Sequence, residues 1–191
     1  MPRLRFETVR DLLEAFPLAE HLIDIEPNDE PSLQFLQALV SRGDSDTDLD
    51  KAVGFCAFLL PRREAVWWGC RTVKTFIPER SAQEEEAIRV AEEWVREPED
   101  ERRVAALELG QRASSKLATT YLALAAGWSG GRLTVGADEA VPVPPHQTAQ
   151  VVRAAVLIAA CRVHMDERAD VLRRCLADGI ALAADQTHIT L

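Results

Sequence analysis

The stretch Ser81-Ala-Gln-Glu-Glu-Glu-Ala-Ile-Arg-Val-Ala-Glu-Glu-Trp-Val-Arg96 decides the fold class. It opens on a capping box, in which the Ser81 hydroxyl and the Glu84 carboxylate each satisfy an N–H that the first helical turn leaves without a partner. Ala87, Ile88, Ala91, Trp94 and Val95 then share one stripe, with Glu85, Glu86, Arg89, Glu92, Glu93 and Arg96 opposite, which is the 3.6-residue period of an amphipathic helix. The same punctuation recurs in both directions, with proline near the first helical position and glycine or proline after the last.

Downstream, Pro98 opens residues 98–126, where Ala106, Gly110, Ala113, Leu117 and Leu124 hold one face of one long helix, or of two broken near Ser114-Ser115. Between Ala149 and Cys161 the only charge is Arg153, and a helix apolar nearly all round must be enclosed by others, so this is the expected central helix. Asp166 begins the last helix, with Val171, Leu172, Cys175, Leu182 and Ala183 facing inward. Upstream, Pro61 starts a helix directly after one that Asp46 or Thr47 caps and that carries Leu49, Ala52, Val53, Cys56 and Leu59. Pro31 opens a segment with Leu33, Leu36, Leu39 and Val40 on one face and Gly43 at its expected C-cap. Thr8 to Phe16 reads as a short helix stopped by Pro17, and Leu18 to Ile25 as another turn or two.

These elements predict an all-α protein, a compact multi-helix bundle of helical hairpins forming a single domain over residues 1–191. No sheet is expected, because alternation of period two is confined to short stretches such as Leu133 to Val135. The alternative is a short α-solenoid, suggested by the similar openings Pro61-Arg-Arg-Glu-Ala, Pro98-Glu-Asp-Glu-Arg and Pro145-His-Gln-Thr-Ala. Their uneven spacing counts against it, since solenoids keep a fixed period. One long loop is expected from Trp128 to Gln147, containing Gly130-Gly131, Gly136 and Val141-Pro-Val-Pro-Pro145. Loops beyond about 12–15 residues without structure of their own often carry function.

Composition narrows the function classes. The chain has 191 residues, 47% hydrophobic, and a formal net charge of −9. A chain of this length buries roughly 70% of its unfolded surface, so its four cysteines are not needed as staples. The longest uncharged window, Leu117 to Gly131, falls short of the roughly 20 apolar residues that span a bilayer. Glu7 and Asp11 interrupt the N-terminus before a signal-peptide core develops, so a cytoplasmic protein without membrane insertion is expected. A pI near 5.0 argues against general nucleic-acid binding, which needs a clustered positive field.

Two constellations suggest chemistry. Gly127-Trp-Ser-Gly-Gly131 matches the G-x-S-x-G nucleophile elbow, with Asp138 and His146 following in hydrolase order. The elbow needs a strand before the serine and a helix after it, whereas here an alanine-rich helix leads in and a Gly/Pro loop leads out. A small serine hydrolase using Ser129 and His146 is therefore the alternative reading. Cys161, His164 and Cys175 form the other set, and Cys56 and Cys70 repeat the separation of Cys161 and Cys175. Without a paired C-x-x-C framework, buried free thiols are the expectation, with no metal and no cofactor. His21, His146 and His188 lack convergent ligands.

The helix after Pro61 is more informative. Its core stripe is Val66, Cys70, Val73 and Ile77, and about a quarter-turn away run Arg63, Trp67, Arg71 and Lys74. Trp68 lies nearly opposite Val66, so both sides of this helix must be covered. Cover from within would come from the 128–147 loop laying Trp128 over Trp67 or Trp68, with the acidic N-terminal third neutralising the arginines. The functional reading is a docking surface of Arg63, Trp67, Trp68, Arg71, Lys74 and Trp128, because Trp and Arg are enriched in binding hot spots.

Leu60-Pro-Arg-Arg-Glu-Ala-Val-Trp-Trp68, Trp128-Ser-Gly-Gly131 and Val143-Pro-Pro-His-Gln-Thr-Ala149 together resemble a family of uncharacterised bacterial proteins, some found beside type VI secretion genes. The resemblance spans about residues 50 to 162 and implies a bacterial source and a secretion-system association, with no activity attached. The expectation is a non-catalytic interaction protein, such as an accessory, adaptor or chaperone-like component, with a protein partner.

Overall fold

The computed structural model describes residues 5–42, 46–113, 117–135 and 139–185. Its helices are α1 (Val9–Ala15), α2 (Pro17–Ile23), α3 (Ser32–Arg42), α4 (Asp46–Leu59), α5 (Arg62–Phe76), α6 (Ala82–Arg96), α7 (Asp100–Arg112), α8 (Ala118–Gly127), α9 (Gln147–Ala160) and α10 (Met165–Asp185). Between α8 and α9 lie β1 (Arg132–Val135) and β2 (Glu139–Pro142).

Local chemistry sets the helix starts. Ser81 Oγ accepts from the Glu84 N–H at 3.3 Å, and the Glu84 carboxylate accepts from the Ser81 N–H at 2.9 Å, so the expected capping box begins α6. Thr8 and Asp11 build a second one before α1. Phe16 links α1 to α2, whose first residue is Pro17, and lies between Phe6, edge to face at 5.6 Å, and Phe58, tilted at 5.4 Å. That aromatic column ties the N-terminal helices to α4.

The bundle is built around α9, which packs against α4, α5 and α8. Val152, Ala155, Val156, Ala159 and Ala160 have no exposed surface, as a helix with a single charge requires. On one flank α8 leads to α6 and α7; on the other α10 lies over α3, α4 and α5. Buried residues from Val9 to Ala183 join in one apolar cluster. Its largest fully buried side chains include Trp68, Phe55 and Phe58, each contributing about 1.5–3 kcal/mol by leaving water. The arrangement is the all-α bundle, with sequence-distant helices in contact across the centre, and not a solenoid.

Two expectations change, and one open alternative is decided. The 128–147 segment is not a plain loop: β1 and β2 pair antiparallel, with Arg132 opposite Pro142 and Leu133 opposite Val141. Four-residue strands give too few alternations to stand out. Pro142 does not betray them, because a two-stranded ribbon is all edge and tolerates a missing N–H. Residues 98–126 form two helices, since Ala113 ends α7 outside the helical region and Leu117 caps α8 in extended conformation. Pro98 precedes the helix start by two residues, α7 beginning at Asp100. Gly43, Ser114-Ser115, Gly136, Asp138 and His188 lie outside the described residues.

Candidate functional site

The helix α5 carries the aromatic and basic residues in three different situations. Trp68 is 1% exposed and its indole N–H donates to the Cys175 carbonyl of α10 at 2.8 Å. The second apolar side of α5 is therefore covered by α10 at Trp68, which is unavailable to a partner. Arg63 donates to the Val95 and Arg96 carbonyls at 2.5 and 3.3 Å. Those carbonyls belong to the last turn of α6, where no helical N–H reaches them and a cation is favoured. Lys74 pairs with Glu92 of α6 at 2.5 Å.

Trp67 and Arg71 make up the remainder of the stripe. The Arg71 guanidinium sits 4.9 Å from the Trp67 ring centre, a cation–π contact, and reaches Asp178 of α10 at 3.3 Å. The Arg71 and Asp178 side chains are each 54% exposed, and Trp67 is half-buried. The partners of the basic stripe thus come from α6 and α10, and the acidic N-terminal third plays no part in these contacts. Neither Glu92 nor Asp178 is marked by any local pattern.

The Gly127-Trp-Ser-Gly-Gly131 turn is held almost wholly by its main chain. Arg62 of α5 donates to the Ser129 carbonyl at 2.6 Å, and Arg103 of α7 donates to the Gly127 and Gly130 carbonyls at 3.0 and 3.3 Å. The Thr148 hydroxyl of α9 donates to the Trp128 carbonyl at 3.1 Å, and the Val143 N–H to that of Gly131 at 3.1 Å. Gly131 has φ +81°, the left-handed region that glycine enters without steric cost. Ser129 lies between a helix and a hairpin, the reverse of the elbow's surroundings, and no hydrogen bond joins its hydroxyl to His146, the N-cap residue of α9. Ser129 and His146 are therefore not joined as nucleophile and base, and Asp138 lies outside the described residues. Arg62 and Arg103, which sequence reasoning missed, are what the turn is built around. Trp128 is half-buried at the α8 C-cap, with its indole N–H enclosed and unpaired.

The four thiols are free and differ in exposure. Cys56, Cys70 and Cys175 are buried, and burial pushes all three upward from the ordinary thiol range. Cys161 is exposed at the end of α9, and His164 is exposed beside Asp166 at 3.3 Å. Among the described residues no three His, Cys, Asp or Glu side chains converge as metal ligands. Among them, too, no helix is long and apolar enough to cross a membrane.

A family model described as "Family of unknown function (DUF6931)" matches residues 35–183. The chain belongs to this family. The DUF6931 region takes in most of α3 and everything from α4 to Ala183 of α10, so it contains both the Trp67–Arg71 face and the glycine turn, while α1 and α2 precede it. No curated protein and no solved structure matches the chain.

Proposed function

We propose that the protein is a non-catalytic interaction module, an adaptor or accessory component in the cytoplasm, which docks a protein partner on the outer face of α5. The observation that carries this reading is the Trp67–Arg71 stack. A large aromatic ring, partly buried against the core, lies under a guanidinium that also pairs with Asp178, so two hot-spot residue types are presented side by side. Arg63 and Lys74 border the stack, and Trp128 lies at the far turn, which Arg62 ties to the start of α5. Trp68 holds α5 to α10 from beneath. The motif resemblance supports searching for the partner among type VI secretion components.

The test is a pair of measurements on Trp67→Ser/Arg71→Glu: a melting curve and a cross-linked pull-down from the native host. Exposed ion pairs contribute roughly 0–1 kcal/mol, so Arg71→Glu alone should leave the fold standing, and the melting curve reads the added cost of Trp67→Ser, since Trp67 packs partly against the core. Capture of the partner should be lost, because reversed charge and a missing aromatic anchor each weaken an interface. Unchanged capture at unchanged stability would remove this face as the docking site.

The serine hydrolase reading has one observation in its favour, the order Ser129, Asp138, His146. The helix-to-hairpin setting of Ser129 weighs against it.

A further inference from the structure

A second surface lies on the opposite side of α6. Between α6 and α7 runs a groove made of two adjoining hollows of about 480 and 210 Å³, which share Val90 and Ala105. Leu109 and Ala113 complete its floor. The residues are small, Ala105 is exposed and Leu109 only half-buried, so the floor is shallow enough for another backbone to come close. α7 is 13 residues long, so the trough extends about 20 Å at 1.5 Å rise per residue, the length of a helix of roughly four turns.

Charge is distributed unevenly along this trough. At the end near Ala113, Glu86 and Glu108 alternate with Arg89 and Arg112, and Arg112 pairs with Glu108 at 3.0 Å. At the other end Glu93, Glu99 and Glu101 surround a single cation, Arg102. Arg102 is shared between Glu93 at 3.6 Å and Glu97 at 2.8 Å, and Arg89 also pairs with Glu93, so the acidic excess at this end comes from Glu99 and Glu101. An apolar floor with one balanced end and one acidic end is complementary to an amphipathic helix that carries its positive charges toward one terminus.

We infer that the α6–α7 groove seats a basic amphipathic helix of a partner protein, with small apolar residues on Val90, Ala105 and Leu109 and Lys or Arg side chains over Glu93, Glu99 and Glu101. The net charge of −9 steers such a helix toward the protein. This surface is separate from the Trp67–Arg71 face, and the two stand or fall independently.

The experiment selects from a displayed library of 16-residue helix-forming peptides, randomised on one apolar stripe and its flanks, against the full chain. Selected peptides should carry net positive charge. Their affinity, read by fluorescence anisotropy, should fall at least tenfold for Ala105→Trp, which fills the groove from an exposed position, and for Glu99→Lys/Glu101→Lys. Trp67→Ser/Arg71→Glu should leave peptide affinity unchanged while acting on the α5 face alone. Melting curves check that each variant folds, and Ala105→Gln replaces Ala105→Trp should the latter not. An unenriched library, enrichment of neutral or acidic peptides, or binding indifferent to both groove variants would overturn the proposal. So would sedimentation showing that the groove is occupied by a second copy of this chain, a dimer abolished by Ala105→Trp.

Discussion

At Gly127 the last turn of α8 meets the main chain of α7: a β-carbon on Gly127 would lie 2.6 Å from the Leu107 α-carbon. Two helices touch backbone to backbone there, and the glycine of the would-be nucleophile elbow is a packing residue. Gly127→Ala should cost about 3 kcal/mol, the upper part of the overpacking range, since the obstacle is main chain that cannot swing aside. Gly130 faces only the Arg103 side chain at 3.7 Å, so Gly130→Ala should stay within about 0.5 kcal/mol. Urea denaturation of the two variants checks the contrast.

Ser129 is held through its carbonyl, not its hydroxyl. Ser129→Ala should therefore leave the urea midpoint within error of the parent. Arg62→Ala removes a charged donor from that carbonyl and should cost about 1.5–3 kcal/mol, the range for hydrogen bonds to ionised groups. A Ser129→Ala loss as large as that of Arg62→Ala would give the hydroxyl a role that these contacts do not.

The Ser81 N–H, then its hydroxyl and the Arg162 guanidinium, hold the Glu84 carboxyl below the ordinary glutamate range. A depressed folded-state pKa stabilises fully above the unfolded value, near 4.5 for this group, and the contribution is lost as pH falls through the folded value. Glu84→Gln should accordingly lower the melting temperature at pH 7 and flatten its fall below about pH 4.5. The parent and variant curves should converge in acid.

Cys161 is exposed, whereas Cys56 and Cys70 are enclosed and hold their protons more tightly than a free thiol. The thiolate is the reactive form, so a disulfide reagent should modify Cys161 first in the native protein. Cys56 and Cys70 should react only at the rate of global opening. Peptide mass mapping after timed quenching reads the order directly.

The legible parts of this molecule are those whose cause is local. Ser81 and Glu84 sit three residues apart, and the α6 stripe repeats within 15 residues, so a short window contains the whole argument. The single charge at Arg153 in α9 likewise tells of burial without saying by what. What covers Trp68 is a carbonyl 107 residues away, and the acceptor for Arg63 lies 32 residues on, at a helix end whose orphan carbonyls have no signature of their own. A basic stripe read in isolation therefore looks free. The hairpin escaped notice for another reason: Leu133 to Val135 alternates over too few residues to be told from a turn.

The separation of Trp68 from Cys175 also has a consequence in time. A ribosome adding about 5–20 residues per second needs roughly 5–20 s to travel from one to the other, whereas a helix such as α5 forms in about a microsecond. For those seconds the tryptophan side of α5 stands without α10, its cover in the finished molecule. The cover of Trp68 is thus the last part of this contact to leave the ribosome, and completion of the α5 packing waits on synthesis of α10.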